Sequence, residues 1–291
     1  LDRRKKQGER IIMAKIMLIG CGDVGMELAN KLVAEGHDVR GVRRTWQAQP
    51  AAINFIQADI TKAAQVEALD LNVDQLVYIL SPEDRDIAAY KAVFETGVDN
   101  LLNTLKRQQP TLPIMFISST RVYAQQQGEW VNESSTTEPT DERGRALLEA
   151  EGKFLAFNKQ TTVVRFSGIY GRSNFFINQL KKGAGVQKEP PYYTNRIHRE
   201  DCVGVLEFLL TKQLNGESLA RVYLASDHNS AEKWEVANYI TNKLGLAPCS
   251  ALMLDSDAKR NKRIDNRRLI EAGYEFKFAS YKEGYGETIN G

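Results

Sequence analysis

An α/β fold, a doubly wound parallel sheet carrying a small and mainly C-terminal lobe, is the architecture this sequence predicts. Three observations carry that expectation. The apolar run Ile16 to Ile19 flows straight into Gly20-x-Gly22-x-x-Gly25, and an amphipathic segment follows with Met26, Leu28, Ala29, Leu32 and Val33 on its apolar side. Short apolar runs then recur, separated by stretches of helical period, which is the rhythm of strand-helix units and a parallel sheet. Hydroxyl-bearing residues, Ser118 to Thr120, stand where one of the central strands should end.

Composition narrows the classes. With 291 residues the chain can hold one large domain, or a large one with a smaller appendage. Its charge is nearly balanced at +2 and its basic residues are dispersed, so a nucleic-acid partner has little support. No stretch approaches the length of a membrane span, and no membrane role is expected. Cys21, Cys202 and Cys249 have no metal-like spacing and are odd in number, so we expect free thiols, a reducing cytoplasmic setting and no metal.

The basic opening LDRRKKQGER imitates the first part of a secretion signal, but the apolar segment behind it is too short and belongs to the first strand. Residues 1–12 therefore read as a disordered extension, with Met13 near the natural start. Residues 13–170 read as the core of the sheet. Residues 171–291 read as a mixed region that completes the core and forms the lobe.

In order, Lys15 to Ile19 is the first strand, and the glycine turn delivers the chain into a helix. Gly20 permits the turn, Gly22 lets backbone approach a ligand, and Gly25 lets the helix pack close to the sheet. In a strand-turn-helix context this spacing is the fingerprint of a dinucleotide site. The first-turn amides, from Gly22 through Asp23, Val24 and Gly25, would face the phosphates with the positive end of the helix dipole behind them.

Asp38 to Val42 is the second strand, and Arg43 and Arg44 follow it. An NAD site usually carries a carboxylate here for the ribose 2′-hydroxyl. A guanidinium instead can grip a 2′-phosphate in a bidentate manner, so NADP is favoured, with NAD as the alternative. An Arg pair solvated at a strand end is the competing reading. Asn54 to Asp59 is the third strand. Asp59 could accept from the adenine amino group or cap the helix from Thr61 to Leu69. Asp74 to Leu80, nearly continuous in apolar residues, reads as a strand buried on both faces.

Asp84 to Gln108 is a long helix interrupted at Gly97, and Ile114 to Ile117 is the next strand. The polar loop Gln125 to Pro139 reads equally as a cover for a site or as ordinary surface. Asp141 to Asn158 is helical, and Thr161 to Phe166 is a strand followed by Ser167-Gly-Ile-Tyr-Gly171. Beyond it we expect helices at Asn174 to Lys182, Asp201 to Thr211 and Glu232 to Leu244, and again after Asn266. Tyr192 to His198 should be irregular or briefly extended, and Arg221 to Ala225 a strand. The aromatic-rich end, Tyr274 to Tyr285, should pack over the substrate side.

These pieces together resemble an extended-type short-chain dehydrogenase/reductase, the Rossmann-type family that includes nucleotide-sugar epimerases and dehydratases. The matching segments are Gly20 to Gly25, Ala58-Asp59, Ser118 to Tyr123, Arg165 to Gly171 and Arg196 to Asp201, in the expected order from Lys15 to Glu287. Within the family the chain is most similar to an atypical bacterial subgroup. The resemblance implies that Asp59 contacts adenine, that Leu80 and Ser81 line the cofactor cleft, and that Ser119 is the active-site hydroxyl. It also implies that Ile197-His198-x-x-Asp201 shapes the substrate cavity, although His198 reads equally as a structural hydrogen-bonding group.

The departures bear on chemistry. The family's hydride transfer uses a Tyr-x-x-x-Lys pair, in which the Lys cation makes Tyr a usable base near neutral pH. Here Gly144 and Glu149 align with the family's glycine and glutamate, so the tyrosine position becomes Arg143 and the lysine position Leu147. Leu147 carries no cation, and Arg143 stays protonated. Arg143 or Arg145 could anchor an anionic group. Tyr123 is the one tyrosine close by in sequence that could substitute. The glycine turn is also GxGxxG rather than the GxxGxxG of typical extended members.

Two functions follow. The first is an NADP(H)-binding oxidoreductase or epimerase-like protein acting on a small polar, anionic or nucleotide-sugar-like substrate. The second is a catalytically degenerate regulatory or scaffold protein that keeps the dinucleotide pocket. A homodimer could pair through the helices at Asp84 to Gln108 and Asp141 to Asn158.

Overall fold

The computed structural model describes residues 13–45, 52–84, 86–254 and 261–290. The expected extension at residues 1–12 lies outside them. Seven strands form one parallel sheet: β1 (Lys15–Ile19), β2 (Asp38–Arg43), β3 (Asn54–Gln57), β4 (Gln75–Tyr78), β5 (Ile114–Ser119), β6 (Thr162–Phe166) and β7 (Val222–Ala225). Their order across the sheet is β7-β6-β5-β4-β1-β2-β3. The chain winds from β1 outward to β3, returns to β4 on the other flank, and winds outward again. That reversal beside β1 leaves a crevice at the carboxyl ends of β1 and β4, where open sheets of this kind bind ligands.

Alternation along the buried strands sorts the core into two layers. Met17 and Ile19 of β1 pack with Val98, Leu101 and Leu105 of α4 (Val98–Gln108) and with Leu147 and Phe154 of α5 (Glu142–Phe157). Ile16 and Leu18 point the other way, onto Leu28 and Leu32 of α1 (Asp23–Ala34) and Val203, Leu206 and Leu210 of α7 (Arg199–Leu214). The buried positions of α1 fall at Gly25, Leu28, Ala29 and Leu32, the one-sided stripe of a helix lying on a sheet.

The break expected at Gly97 is a π-helical turn, Ala92–Gly97, set between α3 (Ile87–Lys91) and α4. Widening the helix displaces a carbonyl, and the buried Tyr78 hydroxyl donates to it at Val93, 2.6 Å away. The helix after β3 is short: α2 spans Ala63–Glu67. Conversely, α7 begins two residues earlier than expected, because the His198 ring caps it and accepts the Glu200 amide at 3.3 Å.

The lobe comprises α6 (Phe175–Lys181), α8 (Lys233–Lys243), α10 (Tyr281–Asn290) and paired short strands, while α9 (Arg267–Glu271) packs Leu269 into the sheet core. Ile177, Leu180, Val236, Ile240 and Tyr281 make its own small core. The polar loop Gln125 to Pro139 is held to it: Glu129–Val131 pairs with Lys262–Ile264, and the Glu133 carboxylate accepts the Leu224 amide at 3.0 Å on edge strand β7. The aromatic end packs on His198 and Tyr170, Phe278 lying 3.9 Å from the His198 ring and Tyr285 4.9 Å from Tyr170.

Beneath the crevice lies a buried ion pair. Arg165 of β6 meets Glu151 of α5 with three donor contacts of 2.6 to 3.1 Å, and both side chains are almost fully enclosed. Ser118 also donates to Glu151, and the Arg165 Nη1 donates to the Tyr123 hydroxyl at 2.6 Å. Glu149 is exposed, while Glu151, four residues beyond the buried Leu147, is the carboxylate turned inward. Glu151→Ala should strand the Arg165 charge and cost about 3–5 kcal/mol. Glu149→Ala should leave the urea midpoint within about 0.5 kcal/mol of the parent.

Candidate functional site

The crevice is built around the glycine turn. Gly20 sits at φ +113°, a left-handed conformation, and its amide donates to Val42 O at 3.0 Å. A Cβ at Gly20 would stand 2.5 Å from the Ile79 carbonyl oxygen, and one at Gly25 would stand 2.2 Å from the Gly20 carbonyl oxygen. Both positions therefore exclude a side chain. Gly22 differs, since a Cβ there would meet nothing within 4 Å. Among the described residues the space above Gly22 is open, and the N-cap of α1 is Gly22 itself, which makes no side-chain cap hydrogen bond. Backbone donors, a helix dipole and open volume thus coincide, which is what a pyrophosphate requires. Val24 is half-buried against the core layer that α1 shares with α7.

The walls follow from the neighbouring strands. Leu80 reaches across the turn, its Cδ2 being 2.9 Å from where a Gly20 Cβ would lie, and Ser81 beside it is exposed. Arg43, at the end of β2, is half-buried. Burial pushes the Cys21 thiol up to about 11, and the nearby Arg43 charge pulls the other way, so Arg43 stands by the turn. Arg44 is exposed and forms an ion pair with Glu83, the second residue after Ser81. Asp59 is occupied locally: its Oδ1 accepts the Thr61 amide at 2.9 Å and the Thr61 hydroxyl at 2.8 Å. Burial works against its charge, yet those two donors with Arg44 and Lys62 hold its pKa below the usual carboxylate value. Asp59 therefore braces the turn before α2 rather than capping that helix, whose N-cap is Lys62.

At the carboxyl end of β5, Ser118 and Ser119 are the last strand residues, two beyond the expected end. They face opposite ways. Ser118 is buried on Glu151, whereas Ser119 is half-buried and its Oγ accepts the Arg121 amide at 3.2 Å. Tyr123 is 1% exposed, its hydroxyl donates to Asn132 O at 2.9 Å, and it accepts from Arg165. Burial pushes that hydroxyl up to about 12 against the pull of the Arg165 charge. Arg143, in the first turn of α5, lies with its guanidinium 5.8 Å from the Tyr90 ring centroid. Leu147, one turn further, is enclosed in the core. A polar hollow of about 360 Å³ opens beside Tyr123, between Gln125, Gln127, Glu129, Thr136 and Glu138.

His198 and Asp201 play parts that fasten elements. Burial holds the His198 imidazole below its ordinary pKa, with Glu200 and Asp201 opposing. Asp201 is fully buried and accepts from the Tyr274 hydroxyl at 2.9 Å and from the Lys277 and Phe278 amides at 2.8 and 2.9 Å. The segment thus clamps the aromatic end onto the core. Nearby, Arg196 Nη1, Asp227 Oδ2 and Tyr170 Oη are buried polar atoms without a hydrogen-bond partner among the described residues. Sequence reasoning missed Asp227. Its signal is weak, being a lone acid after an apolar strand.

The family described as the RmlD substrate binding domain matches residues 14–290. The chain is similar to a solved structure from Methylobacillus flagellatus, described as a candidate NAD-dependent epimerase/dehydratase. That similarity is 30% identity with a TM-score of 0.79, covering 96% of this chain and 98% of the other. It is 24% identical to the protein YeeZ of Escherichia coli strain K12, over 91% of this chain and 97% of the relative. The dTDP-glucose 4,6-dehydratase of Bacillus anthracis, solved in complex with NAD, shares 17% identity over 96% of each chain at a TM-score of 0.77, and shows the fold alone.

Burial raises the Asp227 carboxyl from 3.8 to about 7, with the Arg196 charge opposing and Asp201 and Glu283 adding to the rise. Tyr170 and Tyr285 also face this group. The folded pKa lies above the unfolded one, so this carboxyl favours the fold at low pH. Its contribution is lost as pH climbs through about 7. Asp227→Asn should therefore flatten that part of the stability profile. In urea titrations from about pH 4 to 8, the parent should lose stability relative to the variant, on the order of 1 kcal/mol or more.

Proposed function

This chain belongs to the RmlD substrate-binding-domain family, within the NAD-dependent epimerase/dehydratase group of extended short-chain dehydrogenase/reductase-like proteins, and from that premise we propose that it binds NADP(H) and acts as an oxidoreductase or epimerase-like protein on a small polar or sugar-like substrate. One observation carries the reading: the turn at Gly20 and Gly25 admits no side chain, while the space over Gly22 and the start of α1 stays open. The likeness to YeeZ supports placing the chain in that atypical bacterial subgroup.

In this reading the amides of Gly22 to Gly25 hold the pyrophosphate, and Asp59 faces the adenine amino group with its free oxygen. Leu80 and Ser81 line the cleft. Arg43 and Arg44 hold a 2′-phosphate, Arg44 exchanging its exposed partner Glu83 for the stronger phosphate contact. The nicotinamide, when bound, supplies or accepts the hydride. Ser119 Oγ orients the substrate carbonyl oxygen, and Arg143 anchors an anionic group of the substrate. Tyr123 is left out of the chemistry, because both functions of its hydroxyl are spent within the core. The proton then moves through water or a group on the substrate.

A second reading has its own observation. Leu147 is packed into the core where the family places its cation, so a regulatory protein that binds dinucleotide without turnover also fits.

Fluorescence titration tests the cofactor assignment. NADPH should bind about tenfold or more tighter than NADH, and Arg43→Gln should erase most of that preference. Equal affinity in the parent would remove the 2′-phosphate role, and binding of neither would remove the dinucleotide site. On any substrate that turns over, Ser119→Ala should lower kcat by about 100-fold with NADPH affinity unchanged. Unaltered turnover would take Ser119 out of the mechanism.

A further inference from the structure

One arginine is poised over the same turn without belonging to the glycine fingerprint. Asp23, the first residue of α1, puts a carboxylate in the first turn of that helix. Two cations answer it. Arg199, the first residue of α7, donates from Nε to Asp23 Oδ1 at 3.0 Å and from Nη2 to Glu27 at 3.4 Å. Arg172 approaches the other oxygen, Oδ2, at 3.7 Å, which is beyond hydrogen-bonding range. Its side chain is 72% exposed, and an exposed pair at that distance holds little. Arg172 therefore has donors to spare at the mouth of the crevice.

Its position is imposed by the backbone. Gly171 sits at φ +91°, and a Cβ there would stand 2.2 Å from the His198 Nε2. The chain can pass over the imidazole only as glycine, and that passage turns residue 172 back toward α1. His198 in turn caps α7 and so places Arg199 against Asp23. Gly171, His198, Arg199 and Asp23 thus form one brace, with Arg172 at its free end.

We propose that Arg172 is a binding residue for the pyrophosphate of the dinucleotide. It leaves Asp23 to Arg199 and donates two N–H groups to phosphate oxygens above Gly22. The exchange is favourable because a bidentate guanidinium-phosphate contact is stronger than a distant pair to a carboxylate already satisfied. Arg199 meanwhile neutralises Asp23, so the phosphates do not meet an uncompensated negative charge. The inference rests on the dinucleotide reading above and adds a second-side clamp to it.

The test compares the parent with Arg172→Gln and Arg172→Lys, titrated with NADPH, NADH and ADP-ribose at fixed salt. Arg172→Gln should weaken all three by about tenfold, since the pyrophosphate is common to them, and Arg172→Lys should recover part of the loss. The melting temperature should not move, because the side chain is exposed. Binding of all three by Arg172→Gln within twofold of a parent that does bind would overturn the proposal. A loss confined to NADPH would also overturn it, moving Arg172 to the 2′-phosphate. If the parent itself binds none of the three, the dinucleotide reading is what has failed, and this clamp goes with it.

Discussion

The contact between Gly25 and the Gly20 carbonyl is the constraint on which the rest of the site depends. With 2.2 Å between that oxygen and a would-be Cβ, no other residue lets α1 lie so close to the end of β1. The closeness aims the free amides of the first turn across the crevice rather than past it. It also fixes the phase of α1, putting Leu28, Ala29 and Leu32 on the sheet and leaving Asp23 and Glu27 toward α7. A wall, a dipole and a charge network thus follow from one missing methyl group.

The side of the crevice where chemistry would occur is organised differently. The helix that carries the family's reactive pair is here a packing element. Leu147 joins the core, and the inward carboxylate of Glu151 is consumed by Arg165 and Ser118. A buried pair of this kind adds little stability over an apolar substitute, but losing one partner is costly. The same guanidinium holds the Tyr123 hydroxyl, so the tyrosine nearest the strand end is bound to the scaffold. Ser119 and Arg143 are half-buried beside this scaffold, Ser119 at the end of β5 and Arg143 in the first turn of α5.

Much of this was legible in the sequence, for identifiable reasons. The sheet strands beside the crevice declare themselves because β1 and β4 are buried on both faces and read as unbroken apolar runs. The glycine turn is legible because its requirement is steric and local. Strand and helix ends were misjudged where a side chain decided them. His198 starts α7 early, and hydrogen bonds from Thr61 make Asp59 a turn residue. Glu151 is turned inward because the helical period places it in line with Leu147. Arg172 and Asp227 gave no local pattern. Their surroundings come from segments far apart in sequence, and only the folded chain assembles them.

Asp23 shows how such a site tolerates a residue that looks misplaced. A carboxylate in the first turn of a helix is stabilised by the macrodipole when nothing else is there. It becomes a repulsive neighbour once an anion occupies the same end. Arg199 settles the conflict by arriving from α7, which the His198 cap starts early enough to put a guanidinium opposite α1. Asp201, three residues past that cap, fastens Tyr274, Lys277 and Phe278. The start of α7 therefore serves two ends at once: its first residue tunes the charge beside the glycine turn, and its third ties down the aromatic segment of the lobe. A change in the placement of α7 would be felt at both, which makes this junction the link between the glycine turn and the aromatic segment of the lobe.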